Sequence, residues 1–514
     1  MDSGSAIWKG PLEITDSREK REAGIRGGGW ALFFLLLVVG RLLLPFVPTD
    51  AGVTHSRIVE SLIEGQNWGR QALVGSLAFP TLPTLGLLVT RMVARCWPFP
   101  LLGIDAVRLL VACSQAWALM YVIRTAKSGR RSWLALPLLG AFAAIPDVRD
   151  AAIALDPNWV VVVPLGGLFY HATNWHRTNA LRDVIVCAMN LGLLAFAGVP
   201  GLVVALAILA VLCHNVRRFS IVAKSEQGGV KVLIWAPFCY CVCIWLLWNR
   251  LVMHDMLFGT KHLWGTVVAG GAEAFFTGSV QALGATSFVA LVGGVVLVLS
   301  LWTDVHGPAS CLLVGGCAAV VSHAVLRGVG AFAPGGGILV LTLAGMATAL
   351  PVLQLDWGKA VCRRLFIALP SVGACVAVAC FRPAPPLSSE GDYMLPAPPA
   401  EAIAGWIDRH WPDSRVTVYG VAAPAIYHDL PEKRFVAQLD FREQDFLARA
   451  RREQIHLLVP PRTGVFYLIK GSHLGEIHER GRPWLLLEQT WKPGWQLWRC
   501  AVPPEGESRL RELE

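Results

Sequence analysis

The chain is read first as a succession of long apolar runs broken by short polar stretches. A membrane span needs roughly 20 apolar residues, and runs of that kind lie near residues 30–48, 105–123, 132–146, 158–174, 181–197, 199–215, 231–250, 286–303, 307–326, 336–355 and 363–381. Eleven transmembrane helices are predicted. The run at 79–95 is interrupted by Pro80, Pro83, Arg91 and Arg95, which leave too short an apolar stretch to cross. It is placed in the outer interface. Residues 54–64 show a different pattern, with Ile58, Val59, Leu62 and Ile63 at helical spacing opposite Arg57, Glu60 and Glu64. That pattern suits a helix lying flat at a membrane surface.

Composition supports the membrane assignment. Of 514 residues 54% are hydrophobic and only 16% charged, with a mean hydropathy of +0.51, whereas soluble domains carry about a quarter charged residues. The net charge of +9 could suggest nucleic acid. Its basic residues, however, sit mostly in short loops between apolar runs, among them Arg124, Lys127, Arg130 and Arg131, then Arg217, Arg218, Lys224 and Lys231. Such loops face the cytoplasm, so nucleic acid is excluded as a partner. With residues 1–29 cytoplasmic and no small-residue cleavage motif after 30–47, the first run is a retained helix. Several of the 13 cysteines, such as Cys113 and Cys187, fall inside apolar runs without paired spacing and read as small core hydrophobes.

After residue 381 the character changes. Residues 382–399 form a proline-rich linker, and 400–514 read as a small α/β domain. Its expected strands are Val416–Tyr419 and His456–Val459, its helices Glu401–His410 and Glu443–Glu453, and a closing hairpin joins Trp484–Leu487 to Trp495–Arg499. An odd number of spans from a cytoplasmic N-terminus places this domain outside the membrane. No glycine-rich phosphate fingerprint follows its first strand, so no cofactor is assigned to it.

Chemistry could sit in the outward loops. The first, within 49–104, carries Asp50 directly after the first run; the second, 147–157, crowds Asp147, Arg149, Asp150 and Asp156. Two carboxylates at a membrane surface can serve as base and orienting partner for an acceptor hydroxyl or amine, can bind a divalent cation, or can simply cap helices. Among other polar residues, Arg41 could face a lipid-phosphate cavity or reach the interface. His323 could be functional or a hydrogen-bonded neighbour of another helix, and Asp105 with Arg108 reads as a local helix-start pair.

The first loop resembles that of the GT-C membrane glycosyltransferases, in the branch of the aminoarabinose transferases and protein O-mannosyltransferases. The counterparts are Asp50, the helix 54–64, Gly65 with Trp68, and Phe79-Pro80-Thr81-Leu82-Pro83-Thr84-Leu85. A second match, Ala154-Leu155-Asp156-Pro157, follows at 156 − 50 = 106 residues, and a third is Leu191–Gly201. The departures are Ala51 where the family has Glu, Phe79 where the aminoarabinose type has Lys, and Ala197-Gly198 where a further Lys stands.

The resemblance implies a bacterial inner-membrane transferase that moves a sugar from a polyprenyl-phosphate lipid donor to a lipid, protein or polysaccharide acceptor on the outer face. Asp50 would be the base and Asp156 its support, with Asp147, Arg149 and Asp150 around them. The donor phosphate needs cations, for which Arg250, Lys261, His262 and Arg327 are the candidates. No obligatory metal is implied, although a divalent ion could take part. The alternative is a catalytically degenerate relative that binds envelope glycans or proteins. A transporter fits least, since the spans show no internal repeat.

Overall fold

The computed structural model describes residues 17–65, 67–75, 80–96, 105–125, 146–178, 180–218, 226–258, 306–328, 338, 340, 342, 343, 346, 400–418, 443–459, 473–492 and 494–501. The run expected at 132–146 except for its last residue, those at 286–303 and 363–381, most of 336–355, and the linker 382–399 lie outside that set.

The described residues before 350 are mostly helical. Helix α1 covers Ser17–Leu42. It therefore begins thirteen residues ahead of the expected span and runs through Gly27, Gly28 and Gly29. A two-residue strand, β1 (Val47–Pro48), follows. Next come α2 (Asp50–Ile63), α3 (Asn67–Gly75) and α4 (Thr81–Cys96). Helix α2 begins at Asp50, four residues (54 − 50) ahead of the stretch predicted from its amphipathic pattern, because Thr49 caps it there. Gly65, at φ +73, takes the left-handed conformation that turns the chain from α2 to α3. Helix α4 has 16 residues, so it is roughly 24 Å long, short of the hydrocarbon core.

Helix α5 (Ala106–Thr125) matches the expected run. The loop expected at 147–157 does not have that form. It is a short helix, α6 (Pro146–Ile153), then strand β2 (Ala154–Leu155), then a 3-10 turn at Pro157–Val161 leading into α7 (Val162–Thr178). Helices α8 (Leu181–Leu194), α9 (Gly198–Arg218), α10 (Gln227–Met253) and α11 (His306–Gly328) complete this part.

Among the described residues, two helices are long and apolar enough to cross a membrane by length and composition, within Gly198–Val216 and Gln227–Met253. Shorter apolar helices lie at Trp30–Leu42, Ala106–Tyr121 and Ser310–Leu326. The eleven-span count is therefore not reproduced within the described residues. The outward faces are nonetheless oily: on α10, Val232, Tyr240 and Leu251 are 64–67% exposed. A surface of that kind is costly in water and suits lipid.

Inside, Leu165 and Leu168 of α7, Leu191 and Leu194 of α8, and Ile208 and Leu209 of α9 form one core. Close approach supports it. A Cβ at Gly192 would stand 2.9 Å from both Cys241 Sγ and Pro237 O, so only glycine lets α8 and α10 meet here.

The C-terminal unit comprises α12 (Ala400–His410), β3 (Val416–Val418), α13 (Glu443–Glu453), β4 (His456–Val459), α14 (His473–Arg480), β5 (Leu485–Trp491) and β6 (Trp495–Cys500). Strand order is β3-β4-β6-β5, with β3 parallel to β4 and the remaining pairs antiparallel. Ile403, Ala404 and Ile407 share one face of α12 and close against Val416, Leu458, Trp495 and Leu497. That spacing of apolar residues is what makes the segment a helix docked on a sheet.

Candidate functional site

The residues at 50 and 156 are brought together by a parallel two-residue ladder. Val47 pairs with Ala154 and Pro48 with Leu155, so the chain leaves β1 into α2 and leaves β2 into the 3-10 turn side by side. A single hydroxyl fastens the two exits. Thr49 Oγ1 accepts the Gly52 N–H at 3.1 Å, capping α2, and donates to the Leu155 carbonyl at 2.7 Å. Asp50 is consequently the first residue of α2, where unpaired backbone N–H groups favour negative charge. Its side chain lies outside the described residues, as do those of Asp147 and Asp150 on α6 and of Arg327 on α11.

Asp156 is buried, 7% exposed, and caps the 3-10 turn ahead of Pro157, whose missing N–H costs nothing at that place. Its Oδ1 accepts both the backbone N–H of Asn158, at 2.8 Å, and the Asn158 side-chain amide, at 2.7 Å. Burial dominates and pushes the carboxyl up to about 6, with the two Asn158 bonds pulling it back. Asn158 is wholly buried, and among the described residues its Oδ1 meets no hydrogen-bond donor. The turn is further held by Trp159, whose indole N–H donates to the Ala151 carbonyl at 3.0 Å.

Two more connections shape the surroundings. Arg41, at the end of α1, donates to Gln115 Oε1 at 2.6 Å and to the Ala152 carbonyl at 2.7 Å, and lies 3.8 Å over the Phe46 ring. Gln115 of α5 also donates to the Ala152 carbonyl, at 2.9 Å. Arg41 thus faces the second acidic segment. On the other side, His55 of α2 shares a 2.8 Å hydrogen bond with Thr84 of α4. Complete burial lowers the imidazole to about 3, so it is neutral. Helix α4 in turn docks on the break between α8 and α9: the Leu82 N–H donates to the Phe196 carbonyl at 2.9 Å, and Gly198, at φ +83, approaches Pro80. Two segments singled out in the sequence, 79–85 and 191–201, are therefore in contact.

Other predicted residues fall elsewhere or outside. Arg149 is exposed on α6. Arg250, exposed near the end of α10, donates to the His254 carbonyl at 2.7 Å and so closes its own helix terminus. Lys261 and His262 lie outside the described residues. His323 is buried within α11, and Asp105 caps α5 by accepting the Arg108 N–H at 2.7 Å. Ala51, where the resembled family has Glu, is 1% exposed, so a carboxylate there would be buried. No group of three or more His, Cys, Asp or Glu able to hold a metal occurs among the described residues.

Reading from sequence missed Thr49, His55, Thr84, Gln115 and Asn158. Thr49 had a signal, a threonine immediately before a helical pattern; the others act through contacts between segments far apart in the chain.

The arrangement defines a mostly helical protein, with two described helices long and apolar enough to cross a membrane, in which two acidic positions meet at one ladder. No protein-family model matches the sequence, and no curated protein matches it. Among solved structures, the crystal structure of ArnT from Cupriavidus metallidurans bound to undecaprenyl phosphate is similar, at 14% identity over 93% of this chain and 99% of that one, with a TM-score of 0.47.

Proposed function

We propose that this protein is a GT-C-type glycosyltransferase that takes a sugar from a polyprenyl-phosphate-linked donor and passes it to an acceptor on the outer face of the cytoplasmic membrane. The observation that carries the reading is the β1–β2 ladder, which joins residues 50 and 156 across 106 intervening positions (156 − 50). The motif resemblance in residues 50–157 and 191–201 agrees with it. In this reaction Asp50 takes the proton of an acceptor hydroxyl or amine. The acceptor atom attacks the anomeric carbon, the bond to the lipid phosphate breaks with inversion, and the phosphate leaves with the electron pair. Asp156, held by Asn158, fixes the acceptor side of the site. Its carboxyl, at about 6, is mostly ionised at neutral pH and able to accept a hydrogen bond.

The leaving phosphate requires cations. Lys261, His262 and Arg327 are proposed for this task together with Arg250, which would exchange its bond to His254 for the phosphate. On this reading the domain 400–514 is extracytoplasmic. A degenerate, glycan-binding relative is favoured by one observation, the packed Ala51 at the place of a family carboxylate.

The test is Asp50→Asn. Sugar transfer from a polyprenyl-phosphate donor, followed by mass spectrometry of envelope glycans, is expected to be lost while the protein stays in the membrane. Transfer persisting at a near wild-type rate removes the role of Asp50, whereas a wild-type protein that transfers no sugar favours the binding protein.

A further inference from the structure

A mixed-charge groove of about 570 Å³ lies at one end of the C-terminal sheet, where Arg415 pairs with Glu453, and a His171–Asp183 pair joins α7 to α8. Arg41 makes a different kind of connection. Three helices converge on one backbone oxygen: the Ala152 carbonyl accepts from Arg41 of α1 and from Gln115 of α5, while Ala152 itself belongs to α6. Arg41 and Gln115 are also bonded to each other, so neither donor can swing away without breaking two bonds. A carbonyl at the end of a helix needs such donors once its own helix stops. A planar guanidinium in addition carries several donors in fixed directions. Two residues beyond Ala152 begins β2, and four beyond it stands Asp156.

We infer that Arg41 and Gln115 are positioning residues, which hold the end of α6 so that β2 stays paired with β1 and residue 156 stays beside residue 50. The inference rests on the proposed role of that acidic pair, but its test does not depend on catalysis. Without the clamp the Ala152 carbonyl is held by neither donor, and the segment keeps its apolar packing, the two-residue ladder, the Thr49 hydroxyl and the Trp159 indole.

Hydrogen exchange followed by mass spectrometry on the full chain in lipid nanodiscs reads this directly. The informative amides are those of Asn158, bonded to Asp156 Oδ1, and Trp159, bonded to the Asp156 carbonyl. In Arg41→Gln, exchange across 151–161 is expected to rise about tenfold or more, as losing a charge-assisted bond implies, with α8 and the C-terminal sheet unchanged. Arg41→Lys keeps the charge but cannot span amide and carbonyl, so exchange there stays raised. Gln115→Ala, which removes no charge, is expected to act in the same direction and serves if Arg41 variants fail to fold. Unchanged exchange at 151–161 in both Arg41→Gln and Gln115→Ala overturns the inference. So does a rise of equal size throughout the protein. Where sugar transfer is measurable, kcat falls with KM little changed; intact exchange effects with transfer unaffected by Asp50→Asn would leave the clamp standing and remove the role of Asp50 alone.

Discussion

Gly52→Ala tests the junction between the two acidic segments. Gly52 is the third residue of α2, and a Cβ placed on it would stand 2.3 Å from the Leu155 carbonyl oxygen. Real Cβ contacts essentially never fall under 3.0 Å, so one side must retreat by at least 3.0 − 2.3 = 0.7 Å. Neither side yields easily: the oxygen belongs to the β2 backbone and accepts from Thr49, while α2 is anchored by the same threonine. Overpacking of this kind costs about 1–3 kcal/mol, partly offset by the roughly 0.5–1 kcal/mol that alanine gains over glycine within a helix. A net loss of about 1–2 kcal/mol follows, read as a lower melting temperature in detergent. Because the retreat separates the exits of β1 and β2, sugar transfer is expected to fall on the order of 10- to 100-fold, as sub-ångström to ångström misplacement does elsewhere. Gly316→Ala on α11, where an added Cβ meets nothing within 4 Å, is the matched control: it should leave transfer unchanged and raise stability by roughly 0.5–1 kcal/mol, the helical preference alone. Wild-type stability and rate in Gly52→Ala would refute the close junction.

Three further outcomes are expected. Asp156 binds its proton more tightly folded than unfolded, about 6 against 3.8, so its contribution to stability is full below the unfolded value and is lost as pH rises through about 6. The loss is at most about 3 kcal/mol, and Asp156→Asn should narrow the melting-temperature gap between about pH 5 and about pH 8; an unchanged gap contradicts the burial argument. Gly198→Ala forces an L side chain to φ +83 with its Cβ 3.0 Å from Pro80, a penalty of about 1–2 kcal/mol, visible as a lower melting temperature. Trp495→Ala empties the core under α12, where that ring is 1% exposed, at about 3–5 kcal/mol; limited proteolysis should then cut within 400–514 while the membrane part still accumulates.

Where pattern is long, sequence sufficed. The apolar segments at Ala106–Thr125, Gly198–Arg218, Gln227–Met253 and His306–Gly328 lie close to the expected runs, because apolar length needs no partner to be recognised. In the C-terminal unit the strand His456–Val459 and the helix Glu443–Glu453 likewise have the bounds their patterns gave. The junction was not legible in the same way. Two-residue strands leave no alternation to detect, and residues 147–157 looked like a solvated loop since Asp147, Arg149, Asp150 and Asp156 are all charged. The positions 50 and 156 were found through motif resemblance and spacing. Asp156 being buried, and Arg41 reaching Ala152, depend on which helices pack together, and no local pattern encodes that.

Packing also removes part of an inconsistency in the charge pattern. On the topology expected from the sequence, with α4 outside the membrane core, Arg57, Arg70, Arg91 and Arg95 fall on the outer side, against the usual bias of basic residues toward the cytoplasm. In the structure Arg91 of α4 is ion-paired with Glu60 of α2, both largely shielded, so one of those four charges is neutralised where it stands. The pair also sits on the layer formed by α2 and α4, about one and a half to two turns from the His55–Thr84 bond that joins the same helices nearer their first turns. The two helices are thus tied by a neutral bond near one end and an ion pair further along. The layer's edge carries residue 50, and its far side, through Leu82 and Phe196, rests on the break between α8 and α9. Movement of that break would therefore be felt at residue 50 through packed backbone, whereas Asp156 is referenced to α1 and α5 by Arg41 and Gln115. The two acidic positions are thus approached from different helices and are joined by the β1–β2 ladder and the Thr49 hydroxyl, while the turn after Asp156 also packs on α4 through Val160.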